Sequence, residues 1–161
     1  SGNKNHYKVW AEEVEGVGLA KVFPLWAGAG TVKVVIIDSN KQPANDTIRD
    51  NCYQHIEDVK PIGANVTVTS ALGKVIDISV NITHHQNYSW AEVEENISDN
   101  IYKYFQDIAF QQDYVSYGMI GRLIIGSEGV LDYSNLLING ASANIPIGDE
   151  EVAILGQVTV S

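Results

Sequence analysis

The sequence predicts an α+β chain of two small sheet-plus-helix modules in tandem, residues 1–71 and 72–161. Three observations lead there. Val/Ile-rich or alternating runs of strand length occur in both halves. Each half also holds a helical stripe, with apolar residues recurring three and four positions apart. Between the halves, Ala71-Leu72-Gly73 closes a β-β-β-α-β pattern and opens a β-α-α-β-β-β one.

In the first half, Tyr7–Val14 and Leu19–Trp26 are expected as short strands around Gly16-Val17-Gly18. Gly28-Ala29-Gly30 breaks the chain before Thr31–Asp38, whose Val/Ile content marks a well-buried strand. Ser39–Pro43 has loop chemistry. Asn45 or Asp46 can then cap a helix in which Ile48, Cys52, Ile56 and Val59 share one face, and Pro61 and Gly63 end it. Ala64–Ser70 alternates Val66 and Val68 against Asn65, Thr67 and Thr69, the period of a half-buried strand.

The second half opens on the clearest strand signal, with Ile76, Ile78, Val80 and Ile82 on one face and Asp77, Ser79, Asn81 and Thr83 on the other. Ser89-Trp90-Ala91-Glu92 has the form of a capping box. Beyond it Trp90, Val93, Ile97, Ile101, Tyr104, Phe105 and Ile108 make one long helical stripe. Tyr117–Ile125 is a shorter helix that Gly126 and Gly129 can stop. Val130–Ile138 and Ala143–Ile147 flank Asn139-Gly140, a pair suited to a type I′ turn, so a hairpin is expected. Val152–Val160 is the last strand region.

Composition excludes several classes. With 45% hydrophobic and 19% charged residues among 161, the chain is globular rather than disordered. No apolar run approaches the length of a membrane span. Twenty acidic residues against ten basic ones leave a net charge of −10. Such a surface repels phosphate backbones and anionic lipid, so neither nucleic acid nor membrane is an expected partner. The single cysteine, Cys52, has no intramolecular partner and falls on an apolar helix face, where a buried thiol is expected. Ser1-Gly2 reads as a cloning remnant, and the abrupt polar start suits an excised fragment without a signal peptide.

Motifs that could carry chemistry fail on context. Gly16-Val17-Gly18 and Gly28-Ala29-Gly30-Thr31 lead into strands, whereas phosphate loops lead into helices. His84 and His85 are adjacent at a strand end and point to opposite faces, so they do not converge on one metal ion. No nucleophile elbow is present. The acidic groups Glu12-Glu13, Glu94-Glu95 and Asp149-Glu150-Glu151 lie in polar segments where nothing would raise a carboxyl pKa. No catalytic residue, metal ligand, cofactor site or small-molecule substrate is therefore assigned. Trp10, Phe23 and Trp26 cluster in a segment with few residues to bury them against; beside core packing, they are the candidate interface residues.

The segment from Trp10 to Trp26, with Trp10-Ala11, Glu13-Val14, Gly16-Val17-Gly18, Ala20, Val22 and Pro24, resembles the "WA-x-EV-x-GVG-x-A-x-V-x-P" segment of baseplate J-like proteins. Gly28–Val34, Pro43-Ala44 and Pro61-Ile62-Gly63-Ala64-Asn65-Val66-Thr67-Val68 continue the similarity. Gly129–Tyr133, Asn139-Gly140 and Val152–Gly156 carry it to the end of the chain. Glu15 departs from it, since the family often has proline there. The resemblance is to the middle and C-terminal portion of longer members.

That resemblance implies an architectural role without catalytic residues or cofactors. Members form the wedges of the baseplate of a contractile phage tail, surround its hub and transmit contraction to the sheath. Implied partners are other wedge and hub-proximal tail proteins, with self-association inside the ring. The implied location is the virion or tail-like particle, assembled in the bacterial cytoplasm. Taken alone, the chain is expected to be monomeric or weakly associating, which light scattering would test. The alternative is a surface binding module for carbohydrate or a host receptor, favoured by the Asn/Ser/Thr content and any exposed aromatics. A hydrolase using two carboxylates is a third possibility that needs a cleft between them.

Overall fold

The computed structural model describes residues 3–161. Ser1 and Gly2, expected as a cloning remnant, lie outside the described residues. The fold is mixed α+β, two successive sheet-plus-helix units. One unit runs to Gly73 and takes in Glu150–Val152; the other holds Lys74–Asp149 and Ala153–Ser161.

The first unit begins with a helix, α1 (Lys4–Glu12), where Tyr7–Val14 had suggested a strand. Tyr7, Trp10, Ala11 and Val14 recur at three- and four-residue intervals and all reach this unit's core, which is a helical period rather than an alternating one. Asn3 starts the helix by accepting the His6 N–H with its side chain, and Lys8 pairs with Glu12 one turn on. The unit's element order is therefore α-β-β-α-β, not β-β-β-α-β.

Strands β1 (Val17–Pro24) and β2 (Thr31–Asp38) pair antiparallel, and β3 (Asn65–Ser70) pairs parallel to β2. β1 stops at Pro24, so Leu25 and Trp26, expected in the strand, sit in the turn. Central strand β2 has Val34, Val35, Ile36 and Ile37 all fully buried, the continuous pattern of a strand covered on both faces. Helix α2 (Asp46–Val59) is capped by the Asn45 side chain on Ile48 N–H. It contributes Cys52 and Ile56 to a core with Tyr7, Ala11, Val22, Val34, Ile36, Val66 and Val68.

The second unit has a sheet in the order β6-β4-β8, formed by β4 (Leu72–His84), β6 (Val130–Ile138) and β8 (Glu151–Val160). β4 and β6 are antiparallel. Ser161, just past β8, donates to Val80 and accepts from Ile82, so β8 runs parallel to β4. Helices α3 (Trp90–Ile108) and α4 (Tyr117–Ile125) cover one sheet face with Val93, Ile97, Ile101, Phe105, Ile120 and Ile124. Trp90, expected in the buried stripe, is half exposed because it sits in the helix's first turn against His84.

The Asn139-Gly140 turn forms with both residues at positive φ, 47° and 76°, but the expected hairpin does not follow. Ile138 and Ala141 make one bridge and the chain then departs. The returning segment shrinks to β7 (Ile145–Pro146), paired with β5 (Tyr114–Val115), a short strand absent from the expected order. Pro146 has no N–H for a further ladder, and the Asn139 side chain is already spent on β4, accepting Asp77 N–H and donating to the Val75 carbonyl.

The capping box at the start of α3 is complete: Ser89 Oγ accepts Glu92 N–H, and the Glu92 carboxylate accepts Ser89 N–H. Ser89→Ala is expected to cost about 1 kcal/mol, read as a lower urea midpoint at unchanged slope. An unchanged midpoint would mean the helix start is held by packing alone.

Candidate functional site

The two loops at one end of the first unit form an apolar exposed surface. The β1–β2 turn and the α2–β3 loop meet there, since β2 and β3 are parallel and each loop delivers the start of its strand. Asn65 N–H donates to the Gly30 carbonyl at 2.9 Å, tying the loops together. From this end project Leu25, 66% exposed, Trp26, 48% exposed, and Ile62, fully exposed. Leu25 sits at φ 59°, in the left-handed region that costs a branched residue about 1–2 kcal/mol. The Lys33 ammonium lies over the Trp26 ring at 5.0 Å, a cation–π contact, and pairs with Glu150 at 2.6 Å.

The three aromatics singled out from the sequence occupy different surroundings. Trp10 is half-buried against the first unit's core, edge-on to Tyr7 and stacked with His6. Phe23 is half-buried on β1 with the Lys21 ammonium 5.8 Å from its ring centre. Trp26 alone of the three joins the tip with Leu25 and Ile62. Those two were missed by the sequence reading although a signal existed: Ile62 lies between Pro61 and Gly63, and Leu25 follows Pro24. An apolar residue among turn formers has little core within reach.

The polar candidates resolve into local pairings. His84 packs edge-on to Trp90 with ring centres 4.6 Å apart, while the His85 ring nitrogen sits 3.1 Å from Asn87 N–H. Glu12 pairs with Lys8 and accepts Ala20 N–H; Glu13 meets His55 at 2.9 Å. Glu94 and Glu95 are exposed on α3. Tyr88 donates to Glu128 at 2.7 Å, and that carboxylate raises its hydroxyl above the ordinary tyrosine value. Among the described residues, no three His, Cys, Asp or Glu side chains gather in a way that could hold a metal ion. Nor is any helix among them long and apolar enough to cross a membrane.

Cys52 is fully buried, and burial pushes its thiol up to about 12. Tyr7, in the same core, is raised by burial and by the Glu57 carboxylate. Both groups are neutral at low pH, so a raised folded-state pKa stabilises the fold below the ordinary pKa. That stability is lost as pH climbs through the folded value. The thermal midpoint is expected to fall from about pH 9 towards pH 12, and Cys52→Ala should flatten part of that fall. A fall of equal steepness in Cys52→Ala would exclude the thiol as a contributor.

The chain is thus two small sheet-plus-helix units, the first carrying an exposed apolar tip. It belongs to the baseplate J-like family: residues 1–70 match the Baseplate J-like central domain and residues 76–161 the Baseplate J-like protein C-terminal domain. It is 41% identical over 167 residues to the phage-like element PBSX protein XkdT of Bacillus subtilis (strain 168), covering 99% of this chain and 48% of that protein. It is 29% identical over 144 residues to baseplate protein gp47 of Escherichia phage Mu, covering 82% of this chain and 39% of the relative. The chain thus spans about half or less of the length of these relatives. Its fold is shared with a chain in the cryo-EM structure of the anti-feeding prophage (AFP) baseplate, 6-fold symmetrised, at a TM-score of 0.66 and 12% identity over 96% of this chain and 37% of that one.

Proposed function

We propose that the chain is a structural part of a contractile-tail baseplate, contributing to a wedge that works through protein–protein contacts in assembly and in passing on contraction. The observation that carries this reading is the ordered match of both family domains along the chain. The exposed tip supplies a physical means: Trp26, Leu25 and Ile62 are anchors of the kind that bury well in a partner's pocket. Trp10 and Phe23 are secondary contact candidates. Other baseplate subunits and further copies of the chain in the ring are the partners, and the tail particle is the location. The role calls for no catalytic chemistry, and the net charge of −10 disfavours nucleic acid and anionic lipid. The division into successive modules at 1–71 and 72–161 belongs to the same proposal, each module holding its own contacts.

The test is genetic and visual. In the host that makes the particle, removing the gene should leave tails without complete baseplates in negative-stain electron microscopy. Complementing with a chain carrying Leu25→Ser, Trp26→Ser and Ile62→Ser should restore protein but not baseplates. Full baseplates from that triple variant would remove the tip from the account, and normal tails without the gene would remove the role itself.

A further inference from the structure

Asn139-Gly140 is the only Asn-Gly pair in the sequence; every other asparagine is followed by a residue with a side chain. Asparagine is thermolabile, and most so before glycine, where no side chain hinders approach of the next backbone nitrogen to the carboxamide. The pair lies at an exposed turn. Ala141 N–H donates to the Ile138 carbonyl at 3.1 Å, and Ile138 N–H donates to the Ala141 carbonyl at 2.9 Å, which closes the turn around it. The space beside Gly140 is open, since a Cβ added there would meet nothing within 4 Å. Water therefore reaches the carboxamide's surroundings.

The carboxamide itself is held by β4. Asp77 N–H donates to Asn139 Oδ1 at 2.7 Å, and Asn139 Nδ2 donates to the Val75 carbonyl at 3.0 Å. Asn139 N–H adds a bond to the Asp77 carbonyl at 2.9 Å. Both ends of the side chain are thus engaged by the neighbouring strand, oxygen facing a donor and nitrogen an acceptor. An aspartate in the same place would set a carboxylate oxygen against the Val75 carbonyl, acceptor against acceptor.

We propose that Asn139 is a spontaneous modification site, restrained by its bonds to β4 and converted when they open. For attack, the carboxamide must swing back over its own backbone, which breaks both side-chain bonds. The Gly140 nitrogen then bonds to Asn139 Cγ, the Cγ–Nδ2 bond breaks, and ammonia leaves with the proton from the Gly140 N–H. Water opens the resulting succinimide at one carbonyl or the other, giving isoaspartate or aspartate. Water is the only co-reactant. Either product lacks the donor to Val75. Isoaspartate also routes the backbone through the side chain, adding an atom to a turn built for two residues, so the Ile138–Ala141 bridge is lost with it. The modification therefore frees the start of β4 from the end of β6. This inference stands on the turn alone and does not need the tip.

The test incubates the whole chain at mildly alkaline pH, folded in one arm and unfolded in urea in the other. Fragmentation mass spectrometry locates each amide-to-acid change, and enzymatic methylation of isoaspartate identifies the product. In urea, Asn139 should convert before any other asparagine. In the folded chain its conversion should be slower by about tenfold or more, because it waits on local opening. The product mimic Asn139→Asp should lower the urea midpoint of the second unit, read through Trp90. Equal rates in the two arms would overturn the restraint, and another asparagine leading in urea would overturn the site. An unchanged midpoint in Asn139→Asp would overturn the loosening of β4.

Discussion

Phe105→Ala is expected to lower the stability of the second unit by about 3–5 kcal/mol, the usual cost of emptying an aromatic site that cannot collapse. Phe105 is fully buried on α3, and the core around it is built from residues of the sheet and of both helices: Ile76, Ile78, Ile101, Ile120, Ile124 and Ile138. β-branched neighbours have few alternative rotamers with which to fill the space. Since single domains are stable by only about 5–15 kcal/mol, the loss removes a large share of the total. Urea unfolding should show it through Trp90, the tryptophan of this unit, with Trp10 and Trp26 reporting on the first. A Trp90 transition within about 1 kcal/mol of the parent would mean that the core repacks far more readily than its geometry implies.

The second large effect is expected at Gly18. It lies in the register shift between Val17 and Leu19, where β1 meets the end of β2. A Cβ added there would stand 2.1 Å from the Asp38 carbonyl oxygen, a backbone atom that no rotamer change can move aside. Asp38 is itself pinned: its N–H donates to the Gln42 carbonyl, and its carboxylate accepts Asn40 and Gln42 N–H groups. Gly18→Ala must therefore open the strand pair or distort that turn, at about 3 kcal/mol or more, the upper range for overpacking. Gly118→Ala is the matching control. That glycine is in helix α4, and the nearest atom to an added Cβ is Ser116 Oγ at 3.8 Å, so the substitution should stabilise by about 0.5–1 kcal/mol. Equal responses at the two positions would contradict the packing described for β1.

Much of the fold was legible because its strongest signals were local. The alternation of Ile76, Ile78, Val80 and Ile82, the stripe from Val93 to Ile108 and the Ser89–Glu92 cap each define an element within a short window, and each is present. What escaped was either a local helical period passed over or a matter settled by neighbours distant in sequence. Tyr7 to Val14 is short enough to read as a strand until Tyr7, Trp10 and Ala11 are seen on one helix face. The Asn139-Gly140 turn was read correctly, but where the chain goes afterwards depends on β5, thirty or so residues back. The candidate surface was half legible. Trp26 drew attention as an aromatic, whereas Ile62 and Leu25 gain their meaning from parallel strands that bring two loops to one end.

The central claim is that the chain is a structural component of a tail baseplate held there by protein contacts. A cryo-EM map of the purified tail particle tests it most directly. The account predicts density for both units in the baseplate, with Trp26, Leu25 and Ile62 buried against a neighbouring subunit. A complete baseplate that lacks this chain, or one in which the tip faces solvent throughout, would contradict it.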